Sequence, residues 1–191
     1  MDKYIVSIFG GSGSGKSTLA VRLVEMFGSH RAVRVPSDYF LCSYDSPPQM
    51  LDYDWDLLEE VLGQEAGTAF SIPTYDFQVF RRISLGGEKR LVMRHLVIID
   101  SMVPYPESNF TVLLTCDELE RQRRIIERDK RWKTDVIRYW ELHQLTLEKT
   151  LQTGVVINLE LNGENTIEEN ASRILTIISN LPGASFLKAY S

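Results

Sequence analysis

The chain has 191 residues, a length that suits one domain with a sizeable core. Its 43 % hydrophobic and 25 % charged content is that of a soluble globular protein, and no apolar run reaches the ~20 residues of a membrane span. A net charge of −5 and a pI near 5.3 argue against a general nucleic-acid binder, which carries a basic balance.

Tyr4–Phe9 is a short, nearly all-apolar run before a glycine turn, the pattern of a strand buried on both faces. It begins so close to the first residue that no signal peptide is expected. Next comes Gly10-Gly11-Ser12-Gly13-Ser14-Gly15-Lys16-Ser17-Thr18, which fits G-x-x-x-x-G-K-[ST]. A helix-patterned segment opens at Lys16, with Leu19, Leu23, Val24 and Phe27 at helical spacing, and stops at Gly28. In that context the glycines let backbone N–H groups turn inward around a phosphate chain, and the helix N-terminus adds its positive end. Lys16 would reach the terminal phosphates, and the Ser17 hydroxyl would bind Mg²⁺. A ligand-free glycine turn is the alternative, and the complete Gly-Lys-Ser between strand and helix disfavours it.

Ala32–Val35 reads as a second strand closed by Pro36, with Ser37-Asp38-Tyr39-Phe40 at its carboxyl end. Ligands of open α/β sheets sit beyond such ends, so Asp38 should share the crevice with the glycine loop. It could take a proton from an attacking hydroxyl or contact Mg²⁺, or it could cap a turn. Leu41–Asp52 reads as loop, and Asp54 could cap a helix over Trp55–Leu62. Pro73-Thr74-Tyr75-Asp76-Phe77 is dense in aromatics. Phe77–Leu85 and Glu88–Met93 suggest a β-hairpin on Gly86-Gly87, within an insertion of about 70–94. It could stack a flat substrate or form a small hydrophobic satellite.

His95–Asp100 reads as a third buried strand ending in an acid, where a second Mg²⁺ contact is kept, and Phe110–Thr115 as a fourth. Ser101 follows Asp100 where many ATP-hydrolysing motors carry glutamate, which favours transfer over hydrolysis. A helix from about Asp117 places Arg121, Arg124, Arg128 and Arg131 within about a quarter of its circumference, opposite Leu119 and Ile126. Such a row, about 117–133, would serve as a lid over a triphosphate, or as a solvated face paired with Glu120, Glu127 and Asp129. Asp135–Leu151 reads as a helix with Val136, Trp140, His143, Leu147 and Leu151 on one stripe, so His143 reads as packed. Val155–Leu159 reads as a fifth strand and Ile167–Leu181 as the last helix. Cys42 and Cys116, far apart and outside metal-ligand spacing, read as reduced thiols of a cytoplasmic protein. The expected fold is α/β: one domain over 1–191 with a five-stranded parallel sheet, helices on both faces and a small hairpin insertion near the acceptor site.

These motifs together resemble the uridine kinase family of P-loop kinases, over most of the chain to about Arg131 and more loosely beyond. Gly10–Thr18 is very similar to that family's phosphate loop. Ser37-Asp38-Tyr39-Phe40 looks like its D-x-F-Y-type motif, whose acid serves as base and contacts Mg²⁺. Pro73–Phe77 matches its P-x-Y-D-F motif, and Arg123-Arg124 through Arg128-Asp129 resembles its arginine-rich lid. Val97–Asp100 with Ser101 stands where the family has apolar residues then Glu-Gly. The family's following histidine falls at Phe80 here, while Arg82 is kept. Tyr44-Asp45-Ser46-Pro47 resembles its ribose-binding motif, with Asp52 and Asp54 as rivals.

The resemblance implies an ATP- and Mg²⁺-dependent phosphotransferase acting on a hydroxyl of a small metabolite, with a nucleoside or nucleoside-like alcohol as leading acceptor. In that scheme residues 10–18 hold the nucleotide, and Ser17, Asp38 and Asp100 hold the metal. Asp38 is the base, and Lys16, Arg124 and Arg128 act on the transferred phosphoryl group. Tyr39, Asp45, Tyr75, Asp76, Phe77, Phe80 and Arg82, with Asp38, would surround the acceptor. Expected partners are the acceptor alone, with neither nucleic acid nor membrane, and a homo-oligomer is compatible with the sequence. The alternative is a nucleotide-binding regulatory protein with a degenerate acceptor site. No N-K-x-D motif supports a GTPase switch.

Overall fold

A computed structural model describes residues 3–45, 48–83 and 89–181. In chain order the elements are β1 (Tyr4–Phe9), α1 (Lys16–Phe27), β2 (Ala32–Pro36), a 3₁₀ turn (Ser37–Phe40) and α2 (Trp55–Leu62). Four short strands follow: β3 (Ala69–Ile72), β4 (Thr74–Asp76), β5 (Arg81–Ile83) and β6 (Lys89–Val92). Then come β7 (Leu96–Ser101), β8 (Phe110–Thr115), α3 (Glu118–Trp132), a second 3₁₀ turn (Val136–Tyr139), α4 (Trp140–Gln152), β9 (Leu159–Asn162) and α5 (Ile167–Asn180).

The main sheet has five parallel strands in the order β2-β7-β1-β8-β9. Its central strands are buried on both faces, which is why they read as continuous apolar runs rather than alternating ones. On one face α1 and α5 pack Leu19, Leu23, Ile174 and Ile178 against Val6, Ile98 and Val112. On the other, α2 and the β3/β6 pair set Leu58, Leu62, Phe70 and Ile72 against Val35, Val97 and Ile99. The helices start where polar side chains stand in for missing backbone partners. Asp54 accepts from Leu57 N, Asp117 from Leu119 N and Glu120 N, and Thr166 with Glu169 forms a reciprocal capping box. No described helix is long and apolar enough to cross a membrane.

Register positions the site. Pro36 and Ile8 both stand level with Asp100, and Phe9 with Ser101. The glycine loop, the Ser37–Phe40 turn and Asp100 therefore emerge at one carboxyl edge. The order of strands reverses beside β1, so a crevice opens there.

Four sequence expectations are corrected. The fifth strand is Leu159–Asn162, not Val155–Leu159, because pairing with β8 runs from Val112↔Leu159 to Thr115↔Asn162. The apolar Val155–Ile157 stays outside the sheet, with Val156 72 % exposed. The insertion is not one hairpin over 77–93. β3 pairs with β6 and β4 with β5, and the tight turn between β4 and β5 is held by Asp76 accepting from Gln78 N. Gly86-Gly87 lies outside the described residues, as do Ser46-Pro47 and the tail from Pro182. The Asp135–Leu151 segment is a 3₁₀ turn followed by α4, whose buried positions are His143, Thr146 and Thr150 rather than an apolar stripe. In α3 the expected sidedness is inverted. Leu119 and Ile126 face solvent at 75 % and 40 % exposure, while the arginine row turns inward over the glycine loop.

Candidate active site

The glycine loop closes between β1 and α1. Gly15 precedes the helix at φ +101° and Gly13 sits at φ +81°, conformations that favour glycine. A Cβ at Gly13 would also run into the Arg121 backbone carbonyl, so the close packing of α3 requires glycine there, while Gly11 lies under the Arg121 guanidinium. Arg121 is 6 % exposed and stacks over Trp140 at 4.7 Å, and among the described residues its Nη1 has no hydrogen-bond partner. Ser14 Oγ is likewise buried without a hydrogen-bond partner among the described residues.

Lys16, also buried, donates from Nζ to the Gly11 carbonyl at 2.9 Å, its one hydrogen bond among the described residues. Burial lowers its pKa to about 8, against the pull of Asp38 and Asp100, with Arg128 and Arg121 adding to the fall. A desolvated ammonium with unused donors, beside a buried guanidinium with an unused N–H, fits a polyanion such as a nucleotide's phosphates.

A cavity of about 350 Å³ opens here. Ser12, Gly13, Gly15, Lys16, Ser17, Thr18, Asp38, Arg124, Arg128, Arg131 and Trp132 line it. Every residue expected to act on the phosphoryl group, Lys16, Asp38, Arg124 and Arg128, is on this wall. Arg124 is anchored by Glu120 Oε1 at 2.7 Å and the Gly163 carbonyl at 3.0 Å, while Arg123 points away and pairs with Glu120 and Glu127.

Ser17 and Asp38 offer a hydroxyl and a carboxylate to the same cavity, the hard oxygen donors that Mg²⁺ takes. Asp100 does not line it. Both of its carboxylate oxygens are taken by Arg34, at 2.6 and 2.7 Å, and Asp100 is 3 % exposed. The strand-end acid expected to contact the metal is thus closed off by a bidentate arginine from the neighbouring strand.

Asp38 accepts from the Tyr53 hydroxyl at 3.2 Å, and the Tyr53 oxygen in turn accepts from Met102 N at 3.1 Å. Burial pushes the Asp38 carboxyl above the usual carboxylate range, Lys16 opposes this and Asp100 adds to it. The result is a carboxylate more basic than an exposed one, on the wall of a cavity lined by Lys16, Arg124 and Arg128.

A second cavity, of about 240 Å³, shares Ser12, Asp38, Met102, Arg128 and Trp132 with the first and continues to Leu41, Leu51, Phe77, Phe80, Thr134, Val136 and His143. Of the residues expected around the acceptor, Asp38, Phe77 and Phe80 are here. The others are engaged elsewhere. The Tyr75 hydroxyl donates to the Cys42 carbonyl at 2.7 Å, and Asp76 holds its own turn. Arg82 pairs with Asp54 at 2.7 Å and Asp45 with Arg81 at 2.7 Å, while Tyr39 packs between two core clusters. His143 is not merely packed: Nδ1 lies 3.1 Å from Ser12 Oγ of the glycine loop. Sequence reading missed His143, Arg34, Tyr53 and Trp132. The one available signal was a histidine within a helix that follows an arginine-rich one.

No family model matches the sequence, and no curated protein matches it either. Solved structures do. A candidate fructose transport system kinase from Silicibacter sp. TM1040 superposes with a TM-score of 0.59 at 16 % identity, over 84 % of this chain and 90 % of that one. A candidate uridine kinase from Bacillus stearothermophilus gives 0.53 at 16 %, over 84 % and 89 %. The YGR205w protein gives 0.51 at 14 %, over 85 % and 86 %. The chain has the fold of uridine kinase-like P-loop kinases. At these identities the likeness speaks for the fold, and the chemistry rests on the cavity walls just described.

Proposed function

We propose that the protein is an ATP- and Mg²⁺-dependent phosphotransferase that moves the γ-phosphate to a hydroxyl of a small metabolite, a nucleoside or nucleoside-like alcohol being the class the sequence motifs suggest. The observation that carries this reading is the position of Asp38 on the wall shared by the phosphate cavity and the second, largely apolar one. A carboxylate at that boundary can receive a hydroxyl proton while the oxygen faces a phosphoryl group.

In this scheme the loop amides and Lys16 hold the phosphate oxygens. Asp38 hydrogen-bonds the acceptor hydroxyl and takes its proton as the new P–O bond forms. Arg128 and Arg124, held above the loop by α3, neutralise charge as it shifts between the entering and leaving oxygens. Mg²⁺ held by Ser17 and Asp38 would neutralise the phosphate oxygens. Phe77, Phe80 and Trp132 give the acceptor side apolar walls against which an organic acceptor can pack.

The test is ADP formation from ATP–Mg²⁺ across a panel of hydroxyl acceptors, with Lys16→Ala as the blank. At least one acceptor should raise ADP release well above the acceptor-free rate. Tight ATP binding with no acceptor-dependent ADP would favour a nucleotide-binding regulatory protein.

A further inference from the structure

The chemistry of the 240 Å³ cavity changes along its length. Ser12, Asp38 and Arg128 stand where it joins the phosphate cavity. Beyond them the described wall is largely apolar, with Phe77 and Phe80 prominent, and Thr134, His143 and the indole of Trp132 bring its polar groups. The Thr134 hydroxyl already donates to Asp129 Oδ1 at 2.6 Å. His143 is held through Nδ1 by Ser12, and its Nε2 has no hydrogen-bond partner among the described residues. Burial, with Lys16 and Arg128 close by, lowers the pKa of this imidazole to about 4, so it is neutral at pH 7. It offers one donor or one acceptor to whatever fills the cavity.

A ribose would bring further hydroxyls close to the reactive one, and buried hydroxyls need partners. Among the described residues, Asp38 is the one carboxylate on this wall. Asp45 and Asp54, candidates to hold a sugar, are each bound to an arginine and line neither cavity.

Resting on the phosphotransferase reading above, we infer that the acceptor is an alcohol carried by a compact, neutral heteroaromatic ring rather than by a ribose or a polyol. Its hydroxyl lies at Asp38, its ring lies against Phe77 and Phe80, and one polar ring atom meets His143 Nε2. His143 is then the residue that determines specificity. It selects a ring with a hydrogen-bonding atom over one of the same shape without it, and its bond to Ser12 fixes it relative to the phosphate loop.

The experiment is calorimetric titration of the full chain, loaded with Mg²⁺ and a non-hydrolysable ATP analogue. The ligands are pyridylmethanols, benzyl alcohol, uridine and ribitol, and ADP release from ATP is measured with each. A pyridylmethanol isomer should bind at least tenfold more tightly than uridine or ribitol, and about tenfold more tightly than benzyl alcohol. His143→Ala should remove the preference over benzyl alcohol while the ATP-analogue affinity stays within about twofold. His143→Gln, which keeps a hydrogen-bonding group, should retain part of it. The inference is overturned if uridine or ribitol binds as well as the aromatic alcohols, if no aromatic alcohol binds, or if His143→Ala weakens all ligands equally. Selective pyridylmethanol binding without ADP release would leave this inference standing and defeat the phosphotransferase reading. Uridine as the preferred, phosphorylated acceptor would do the reverse.

Discussion

Asp38 owes its proposed role to its neighbours. Burial raises its pKa above the ordinary carboxylate range, while Lys16 and the Tyr53 hydroxyl limit the rise. Transfer should therefore fall away on acidification at a pH above that range, since only the ionised form can take a proton. The same shift has a stability consequence. A carboxyl whose pKa is higher folded than unfolded contributes stability below its unfolded pKa, and that contribution is lost as pH rises through the folded pKa. At neutral pH the Asp38 charge therefore works against the fold. Asp38→Asn should lower acceptor-dependent turnover at least 100-fold, while the melting temperature stays the same or rises. A variant that keeps near-normal turnover would remove Asp38 as the base. Arg34 behaves in the opposite way. Arg34→Met leaves Asp100 buried without its partner, and should cost roughly 3–5 kcal/mol in denaturant unfolding. Asp100 was legible as a strand-end acid from its apolar run. Arg34 was not, because its pairing depends on the β2–β7 register, which no local pattern encodes.

At the scale of elements, α3 decides how the glycine loop is covered. Its periodicity gathered Arg121, Arg124, Arg128 and Arg131 onto one face, and the structure agrees. Which face turned inward could not be read from amphipathicity. A helix laid over a polar loop rather than on the sheet buries cations and exposes leucine, the reverse of the usual rule. The buried apolar anchor is Ile125 instead. Arg128→Ala should reduce turnover on the order of 100-fold with ATP binding weakened far less, because its charge matters most as the phosphoryl group moves. Arg123→Ala, a few residues away but outward and paired with Glu120 and Glu127, should leave both turnover and melting temperature near wild type. Equal losses in the two variants would mean that the row acts as bulk charge and not through position.

For the whole molecule, the strand–loop–helix start, the β1–β7–β8 centre and the carboxyl-edge crevice follow from apolar runs and glycines, which report burial directly. The insertion was harder, because its short strands are held by tertiary pairing of β3 with β6 and not by a single turn. The acceptor wall was harder still. His143 and Trp132 reach it from helices far along the chain, where periodicity makes a histidine in an apolar row look like filling. The fold places a cation-lined cavity and an aromatic cavity side by side with Asp38 shared between them, and in the proposed reaction a phosphoryl group crosses that wall. The most direct test follows the label of γ-³²P-ATP in the presence of Mg²⁺ and an acceptor that the protein binds. Label should appear in an organic phosphate ester, and should be absent from it with Asp38→Asn. Label that stays on bound ATP, or appears only as inorganic phosphate at an acceptor-independent rate, would contradict the proposed transfer.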